Sequence, residues 1–139
     1  MSAERRPVER LRISSGSPWE PVIGFSRAVR IGDRVVVAGT APVWPDGSCD
    51  PDPAAQAERC LEIVVAALAE AGAAPADVVR TRMYLTDAAD VVAVGEVHGR
   101  VFRAARPAAT IVVVAALADP RWKVEIEVEA VLASSGNAG

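Results

Sequence analysis

One segment, DPAAQAERCLEIVVAALAEAG over residues 52–72, constrains the fold most, because both of its ends and its apolar face can be read from the sequence. Asp52 suits the N-cap, Pro53 suits the first helical position, and Gly72 suits the residue that ends a helix. Apolar residues recur at the helical period at Ala57, Cys60, Leu61, Val64, Val65 and Leu68. The pattern predicts one long helix whose apolar face needs a covering layer, with Cys60 as a buried, inert thiol.

The rest of the chain alternates β-prone runs with one further helical segment. Strands are predicted within residues 8–14, 26–40, 77–87, 106–117 and 123–133, and residues 26–40 form a hairpin that turns at Gly32-Asp33. A second helix is predicted from Ala88 to Arg103, with Asp87 as its cap. The run RPAATIVVVAAL at 106–117 is read as a buried strand. This order favours an α+β fold of two layers, a mixed sheet with both helices on one face.

The second face of such a sheet has no helix to cover it. In the strand at 77–87, alternation places Val79, Thr81, Met83 and Leu85 on one face. The other face carries Arg80, Arg82 and Tyr84, with Glu125, Glu127 and Glu129 from the last strand. Opposite charges there can pair across strands. The face is either solvated or covered by another copy of the chain, and a hydrophobic content of 51% favours the second reading.

Composition bounds the remaining possibilities. The 139 residues fit a single domain, 1–139, with 1–7 and 134–139 as loose tails. The net charge of −3 and the scattered basic residues make a nucleic-acid partner improbable. Two cysteines without ligand spacing support no metal and no cofactor. The absence of an apolar leader or a long apolar run predicts a cytoplasmic protein with no membrane partner.

Four strings together resemble the RidA/YjgF family of small homotrimeric proteins. They are IGDRVVVAGTAP, AAQAERCLEIVVAALAEAGAAPADVVRTRMYLTD, VFRAARPAATIVVVAAL and KVEIEVEAV, and the resemblance runs from about Phe25 to Val131. It implies a chorismate-mutase-like domain that assembles as a trimer around a central β-barrel. It also implies that small-molecule clefts lie at the three subunit interfaces.

The family activity implied by this resemblance is hydrolysis of 2-imino and 2-enamino acids to 2-keto acids and ammonia. In active members an arginine after Pro-Ala grips the substrate carboxylate through two charge-assisted hydrogen bonds. Here Ala109 holds that position, and Arg106 is too far along the chain to replace it. Efficient hydrolysis of 2-imino acids is therefore not expected, since losing such a contact weakens binding strongly.

The other polar positions of the family site are also changed, with one exception. Phe25 stands for a tyrosine, Ala38 for a serine, Gly95 for an asparagine, Ile111 for a cysteine, and Glu125 for the family glutamate. One of the six polar positions therefore survives, and Glu125 is the first candidate for an acid or base that activates water. Its alternative role is a strand-face carboxylate paired with an arginine.

Five further residues could supply chemistry that the usual site has lost. Trp19 and Glu20 lie before the hairpin, Arg27 lies on it, and Trp44 lies just beyond it. His98, the only histidine, lies on the apolar face of the second helix. A packed, hydrogen-bonded His98 is favoured over a catalytic base. Trp19 and Trp44 fit subunit contacts as well as a ligand wall, and Glu20 on a loop is usually solvated.

Three functions follow. The first is a hydrolase for imines, enamines or related metabolites, with Glu125 assisted by His98 or Glu20. The second is a binding module that keeps an interfacial pocket for a small, mostly apolar ligand. The third, RNA cleavage, is the weakest, because the chain is acidic and has no basic stripe.

Overall fold

The computed structural model describes residues 9–133, so the predicted tails at 1–7 and 134–139 lie outside the described residues. The strands are β1 (Arg10–Ile13), β2 (Ala28–Ile31), β3 (Arg34–Thr40), β4 (Val78–Leu85), β5 (Ala108–Val113) and β6 (Val124–Val131). The helices are α1 (Pro53–Glu70) and α2 (Val91–Phe102). A π-helical turn spans Glu20–Gly24, and short 3₁₀ turns precede β4 and α2.

The six strands form one mixed sheet in the order β1-β2-β3-β6-β4-β5. Every neighbouring pair is antiparallel except β4 and β5, which are parallel and joined through α2. Helix α1 packs on β3 and β6, and α2 packs beside α1. The core lies between these helices and the sheet, and its fully buried members include Leu61, Leu68, Met83, Ile126 and Phe102. The predicted two-layer α+β plan is confirmed.

Helix α1 begins and ends where the sequence predicts. The carboxylate of Asp52 accepts a hydrogen bond of 3.2 Å from the backbone N–H of Ala55, and Pro53 is the first helical residue. Gly72 follows the helix with a φ of +86°, which a residue with a side chain adopts only at a cost. Helix α2 differs slightly: Asp87 caps a 3₁₀ turn at Ala88–Asp90, and the α-helix starts at Val91.

A polar residue of α1, Gln56, is fully buried and joins two loops to the helix. Its Nε2 donates to the carbonyl oxygens of Asp50 at 2.8 Å and Arg121 at 3.0 Å. Its Oε1 accepts from the backbone N–H of Lys123 at 2.7 Å. The apolar stripe read from the sequence left Gln56 out, because periodicity does not distinguish a buried amide from a solvated one.

The side-chain alternation predicted for β4 is wrong at its first residues. Val78 is buried, whereas Val79, expected on the core face, is 47% exposed. The register between β4 and β6 shifts between Val78 and Arg80, so the strand carries an extra residue there. Beyond this bulge Thr81, Met83 and Leu85 face the core as predicted.

The sequence suggested that strand β5 is buried, and this prediction is wrong for the protomer. Strand β5 forms an open edge of the sheet. Val112 and Val113 are 42% and 51% exposed, and only Ile111 packs against the core. Its outer N–H and C=O groups have no neighbouring strand within residues 9–133. An apolar run without polar alternation is read as buried, although in this protomer every residue of the strand except Ile111 is exposed.

The sheet face opposite the helices carries the predicted charge pairs. Arg82 lies 3.5 Å from Glu127, and the hydroxyl of Tyr84 donates to Glu127 at 2.6 Å. Arg34 lies 3.7 Å from Glu129. Cross-strand pairing of opposite charges is thus confirmed. Within the described residues, neither α1 nor α2 has the length and apolar character needed to cross a membrane.

Candidate functional site

Glu125 lies near the start of β6, on the face away from the helices, and its carboxylate rests against the backbone of β3. A Cβ placed on Gly39 would lie only 2.8 Å from Oε2 of Glu125. The register between β3 and β6 shifts between Val37 and Thr40, so this part of β3 departs from the regular ladder. The missing side chain of Gly39 therefore creates the space that the carboxylate occupies.

Partial burial changes the acidity of Glu125. Loss of hydration raises the pKa of this carboxyl group, and the negative charge of Glu127 raises it further. The positive charge of Arg27 opposes both effects and lowers the pKa. A carboxyl group whose pKa is moved toward neutrality can exchange protons with a guest more readily than a solvated one.

Arg27 lies immediately before β2, and its half-buried guanidinium reaches the irregular part of β3. Its Nη2 donates to the carbonyl oxygen of Gly39 at 3.0 Å, and its Nη1 donates to Oγ1 of Thr40 at 3.3 Å. Its Cζ lies 5.6 Å from the centre of the Phe25 ring. Arg27 and Glu125 therefore both lie against Gly39, Arg27 through its carbonyl oxygen and Glu125 where a side chain would be.

An open depression of about 600 Å³ is lined by Ser26 and Ala38, the chain neighbours of Arg27 and Gly39. Its lining comprises Arg12, Glu20, Pro21, Gly24, Phe25, Ser26, Val29, Val36 and Ala38. Phe25 and Ala38, both predicted as ligand-binding residues, are thus on one wall. Apart from Arg12, Glu20 and Ser26 the lining residues are apolar, which suits a small and mostly apolar guest.

Glu20 is not the solvated loop carboxylate that the sequence suggested. It is 8% exposed and begins the π-helical turn at Glu20–Gly24. Its Oε2 accepts hydrogen bonds from the backbone N–H and Oγ of Ser15 at 2.9 and 2.6 Å, and from the N–H of Ser17 at 3.4 Å. These hydrogen bonds lower its pKa. Glu20 therefore holds the turn in place, while Trp19 beside it is 62% exposed.

The candidates on β5 lie on the other side of the sheet. The parallel pairing places Ala109 beside Thr81 and Ile111 beside Met83, both of which face the helices. By contrast, Tyr84 pairs with Glu125 on the open face. Within one protomer, Ala109 and Ile111 are therefore not brought together with Glu125.

His98 lies on the helix-covered side of the sheet, as does Ala109. Its Nε2 lies 2.8 Å from Oγ1 of Thr81, and its ring lies 4.8 Å from that of Phe102. Burial lowers its pKa. These contacts describe a packed, hydrogen-bonded histidine, and a catalytic role for His98 alongside Glu125 stays a prediction. The backbone N–H of Gly47 donates to the carbonyl oxygen of Trp44 at 3.0 Å, in the loop between β3 and α1.

Comparison with known protein families identifies the family to which the chain belongs. The model of the family described as endoribonuclease L-PSP matches residues 16–132. The chain belongs to the RidA/YjgF family. A Mycobacterium tuberculosis protein, described as a member of the highly conserved YjgF/YER057c/UK114 family, shares 47% identity and superimposes with a TM-score of 0.82. That match covers 89% of this chain and 100% of the other.

One further relative is named for its activity, and another has a structure with a bound small molecule. The 2-iminobutanoate/2-iminopropanoate deaminase of Escherichia coli is 33% identical over 111 residues, 77% of this chain and 84% of that protein. The structure of Escherichia coli TdcF with bound serine shares 29% identity and a TM-score of 0.76, covering 93% of this chain and 100% of that one. The family to which this chain belongs therefore includes imine deaminases.

The structure adds two residues whose part in the site the sequence had not shown. Gly39 interrupts the β-prone run VVVAGT, and a glycine inside a strand is a known mark of close approach by another group. Arg27 was a candidate, but its contact with Gly39 depends on the irregular register of β3. Among residues 9–133, no group of three or more histidine, cysteine, aspartate or glutamate side chains is placed to hold a metal ion.

Proposed function

We propose that this RidA/YjgF protein binds a small metabolite in clefts between the protomers of a homotrimer, where Glu125 activates water or transfers protons to an imine or enamine. The hydrolysis adds water across the C=N bond and releases ammonia and a carbonyl compound. In this proposal Ala109 leaves the guest without the usual carboxylate grip. The cleft therefore turns over 2-imino acids slowly and favours less acidic guests.

The observation that carries the proposal is the position of Glu125. Its half-buried carboxylate lies against Gly39, which follows Ala38 in the chain, and Ala38 lines the depression together with Phe25. The raised pKa of Glu125, caused first by the loss of hydration, favours a role in proton transfer. An acid held in a partly dry cleft is the minimum that imine hydrolysis requires, since water must be deprotonated and the nitrogen protonated.

A second copy of the chain supplies the other wall in this proposal. Glu125 lies on the open face of one protomer, and Ala109, Ile111 and His98 lie toward the β5 edge on the helix side. If the β5 edge of one protomer meets the open sheet face of the next, Glu125 of one protomer shares a cleft with the candidates near β5 of the other. Trp19, exposed beside Glu20, then becomes a subunit contact or a further part of the cleft wall.

The decisive assay supplies two kinds of imine and follows ammonia release. An amino-acid oxidase generates 2-imino acids, and an amine oxidase generates imines without a carboxylate. We expect the wild type to accelerate hydrolysis of the second kind more than the first. Glu125→Gln should lose the acceleration, and Ala109→Arg should increase turnover of 2-imino acids at least tenfold.

Two results would count against the proposal. If the wild type hydrolyses 2-imino acids as fast as an arginine-bearing relative, the reading of Ala109 is wrong. If neither imine reacts faster than in buffer, the cleft is a binding module, and thermal shift against a metabolite library should then reveal a stabilising ligand. Size-exclusion chromatography with light scattering tests whether the protein is a trimer. A monomeric mass would rule out a cleft shared between protomers.

A further inference from the structure

We infer that Arg27 is the positioning residue of this site: its guanidinium fixes the Gly39–Thr40 backbone against which Glu125 lies and places a positive charge beside that carboxylate. The inference rests on the proposed role of Glu125, which it deepens. Arg27 does not need to touch the guest for this role. It acts through the geometry and the ionisation of Glu125.

The first support is the pair of hydrogen bonds that Arg27 makes to consecutive residues. Nη2 contacts the Gly39 carbonyl at 3.0 Å, and Nη1 contacts the Thr40 hydroxyl at 3.3 Å. That hydroxyl in turn donates to the carbonyl oxygen of Ala38 at 2.8 Å. The three residues lie where the register of β3 shifts, so the guanidinium fixes a segment that the regular ladder does not hold.

The second support is the arrangement of charge around Glu125. From β6 itself, Glu127 raises the pKa of Glu125, and from β4 the neutral phenol of Tyr84 faces it across the strands. From α1, the buried thiol of Cys60 has a raised pKa and is uncharged at neutral pH. Within the described part of the chain, Arg27 is the cation that lowers the pKa of Glu125.

The third support is the environment of the guanidinium. Burial lowers the pKa of Arg27, yet an arginine remains charged at any physiological pH. Its Nε is buried and has no hydrogen-bond partner within the described residues. An unsatisfied buried donor is costly, so the contacts with Gly39, Thr40 and the Phe25 ring must offset that cost. Partial exclusion of water also strengthens the attraction between Arg27 and Glu125.

Arginine is suited to this role because its planar fork donates to two acceptors at once, whereas lysine offers a compact point charge. The two contributions can therefore be separated by substitution. Arg27→Lys keeps the charge and loses the fork. Arg27→Gln keeps an amide donor for the Gly39 carbonyl and loses the charge.

The test is a titration of Glu125 in the intact oligomer, followed by NMR of ¹³C-labelled glutamate carboxyls. The signal of Glu125 is assigned by its disappearance in Glu125→Gln. We expect the titration midpoint to rise in Arg27→Gln and to stay near the wild-type value in Arg27→Lys. Arg100→Gln, which removes an exposed cation paired with Glu58 on the helix side, is the matched control and should leave the midpoint unchanged.

Activity provides a second readout. If ionised Glu125 acts as the base, the rate rises with pH through its pKa, and this limb should move to higher pH in Arg27→Gln. At pH 7, kcat should fall at least fivefold with little change in KM. In Arg27→Lys the limb should stay in place while kcat falls, because the Gly39–Thr40 segment loses its second hydrogen bond.

The titration alone decides the inference. An unchanged midpoint in Arg27→Gln overturns the positioning role, whatever the activity of the wild type. A raised midpoint in a protein that releases no ammonia from any imine supports the positioning role and overturns the proposed hydrolase. If Arg27→Gln does not fold, Arg27→Met, which also removes the charge, is used in its place. A midpoint unchanged in Arg27→Met then overturns the inference in the same way.

Discussion

The carboxylate of Glu125 and the backbone of Gly39 are packed so closely that no methyl group fits between them. A Cβ on Gly39 would lie 2.8 Å from Oε2 and 3.2 Å from Cδ of Glu125. The small size of glycine, and not its backbone conformation, is what this position uses, because its φ is not in the left-handed region. The contact ties a backbone position in β3 to the candidate acid of the cleft.

Gly39→Ala should therefore displace Glu125 while leaving the fold intact. The atoms that the new methyl group meets belong to the end of a flexible side chain, which can rotate away. We expect imine hydrolysis to fall at least tenfold and the free energy of unfolding to change by less than about 1 kcal/mol. Gly99→Ala, where a Cβ meets no atom within 4 Å, is the control and should keep full activity.

Gln56→Ala should destabilise the protein strongly. The substitution removes the hydrogen bonds of 2.8, 3.0 and 2.7 Å that the fully buried Gln56 makes to the backbone of Asp50, Arg121 and Lys123, and it leaves a cavity in place of the amide. We expect a loss of about 3 kcal/mol in the free energy of unfolding, measured by denaturant at a fixed protomer concentration. Glu58→Ala on the same helix breaks an exposed ion pair with Arg100 and should cost less than about 0.5 kcal/mol. Equal losses of unfolding free energy in the two variants would contradict the structural role assigned to Gln56, which is to join two loops to α1.

Because of His98, the free energy of unfolding should decrease as the pH is lowered. Burial lowers the pKa of His98, so the unfolded chain takes up its proton more readily than the folded one. The contribution of His98 is present in full above its ordinary pKa of 6.5 and is lost as the pH falls from there through the lower pKa of the folded state. Between pH 7.5 and 5, the wild type should lose more unfolding free energy than His98→Gln.

Glu125 acts in the opposite sense on the same pH axis. Because its pKa is raised in the folded state, protonation of Glu125 favours the fold as the pH falls. Both proteins of the His98 comparison contain Glu125, so its effect cancels in their difference. A pH dependence identical in the wild type and His98→Gln would show that the ring is as easily protonated in the fold as in the unfolded chain.

The proposed trimer can be tested with two matched charge insertions. Val36 is 44% exposed on the open sheet face, and Val92 is 70% exposed on α2. Neither side chain is in the core of the protomer, so glutamate at either position should leave the protomer folded. We expect Val36→Glu to elute as a monomer and Val92→Glu to keep the wild-type mass. A trimeric Val36→Glu would show that the open face is not the subunit interface.

Much of the fold follows from local signals in the sequence. The cap at Asp52, the helix stop at Gly72 and the hairpin turn at Gly32, whose φ is +60°, are properties of a few neighbouring residues. The period-2 pattern could not show the bulge that turns Val79 outward. One extra residue reverses which side chains face the core, and apolar residues stand on both sides of that point in the sequence. The openness of β5 was hidden for a similar reason, since an apolar run reads alike whether a helix or another subunit covers it.

The candidate site was predictable only in part. The resemblance identified Glu125, Phe25 and Ala38 as candidates, and the structure places the last two on one wall of a depression. The contact of Arg27 with Gly39 and the burial of Glu20 depend on a register shift and on a π-helical turn. Such features join residues through backbone geometry, which short sequence patterns do not encode.

The apolar edge at β5 has a consequence for the life of a newly made chain. Val112 and Val113 stand exposed beside a row of backbone groups open to any extended segment, which is a known route to aggregation. A single copy with this edge open can therefore pair with extended segments of other chains, and the tendency to aggregate should grow with the concentration of such copies.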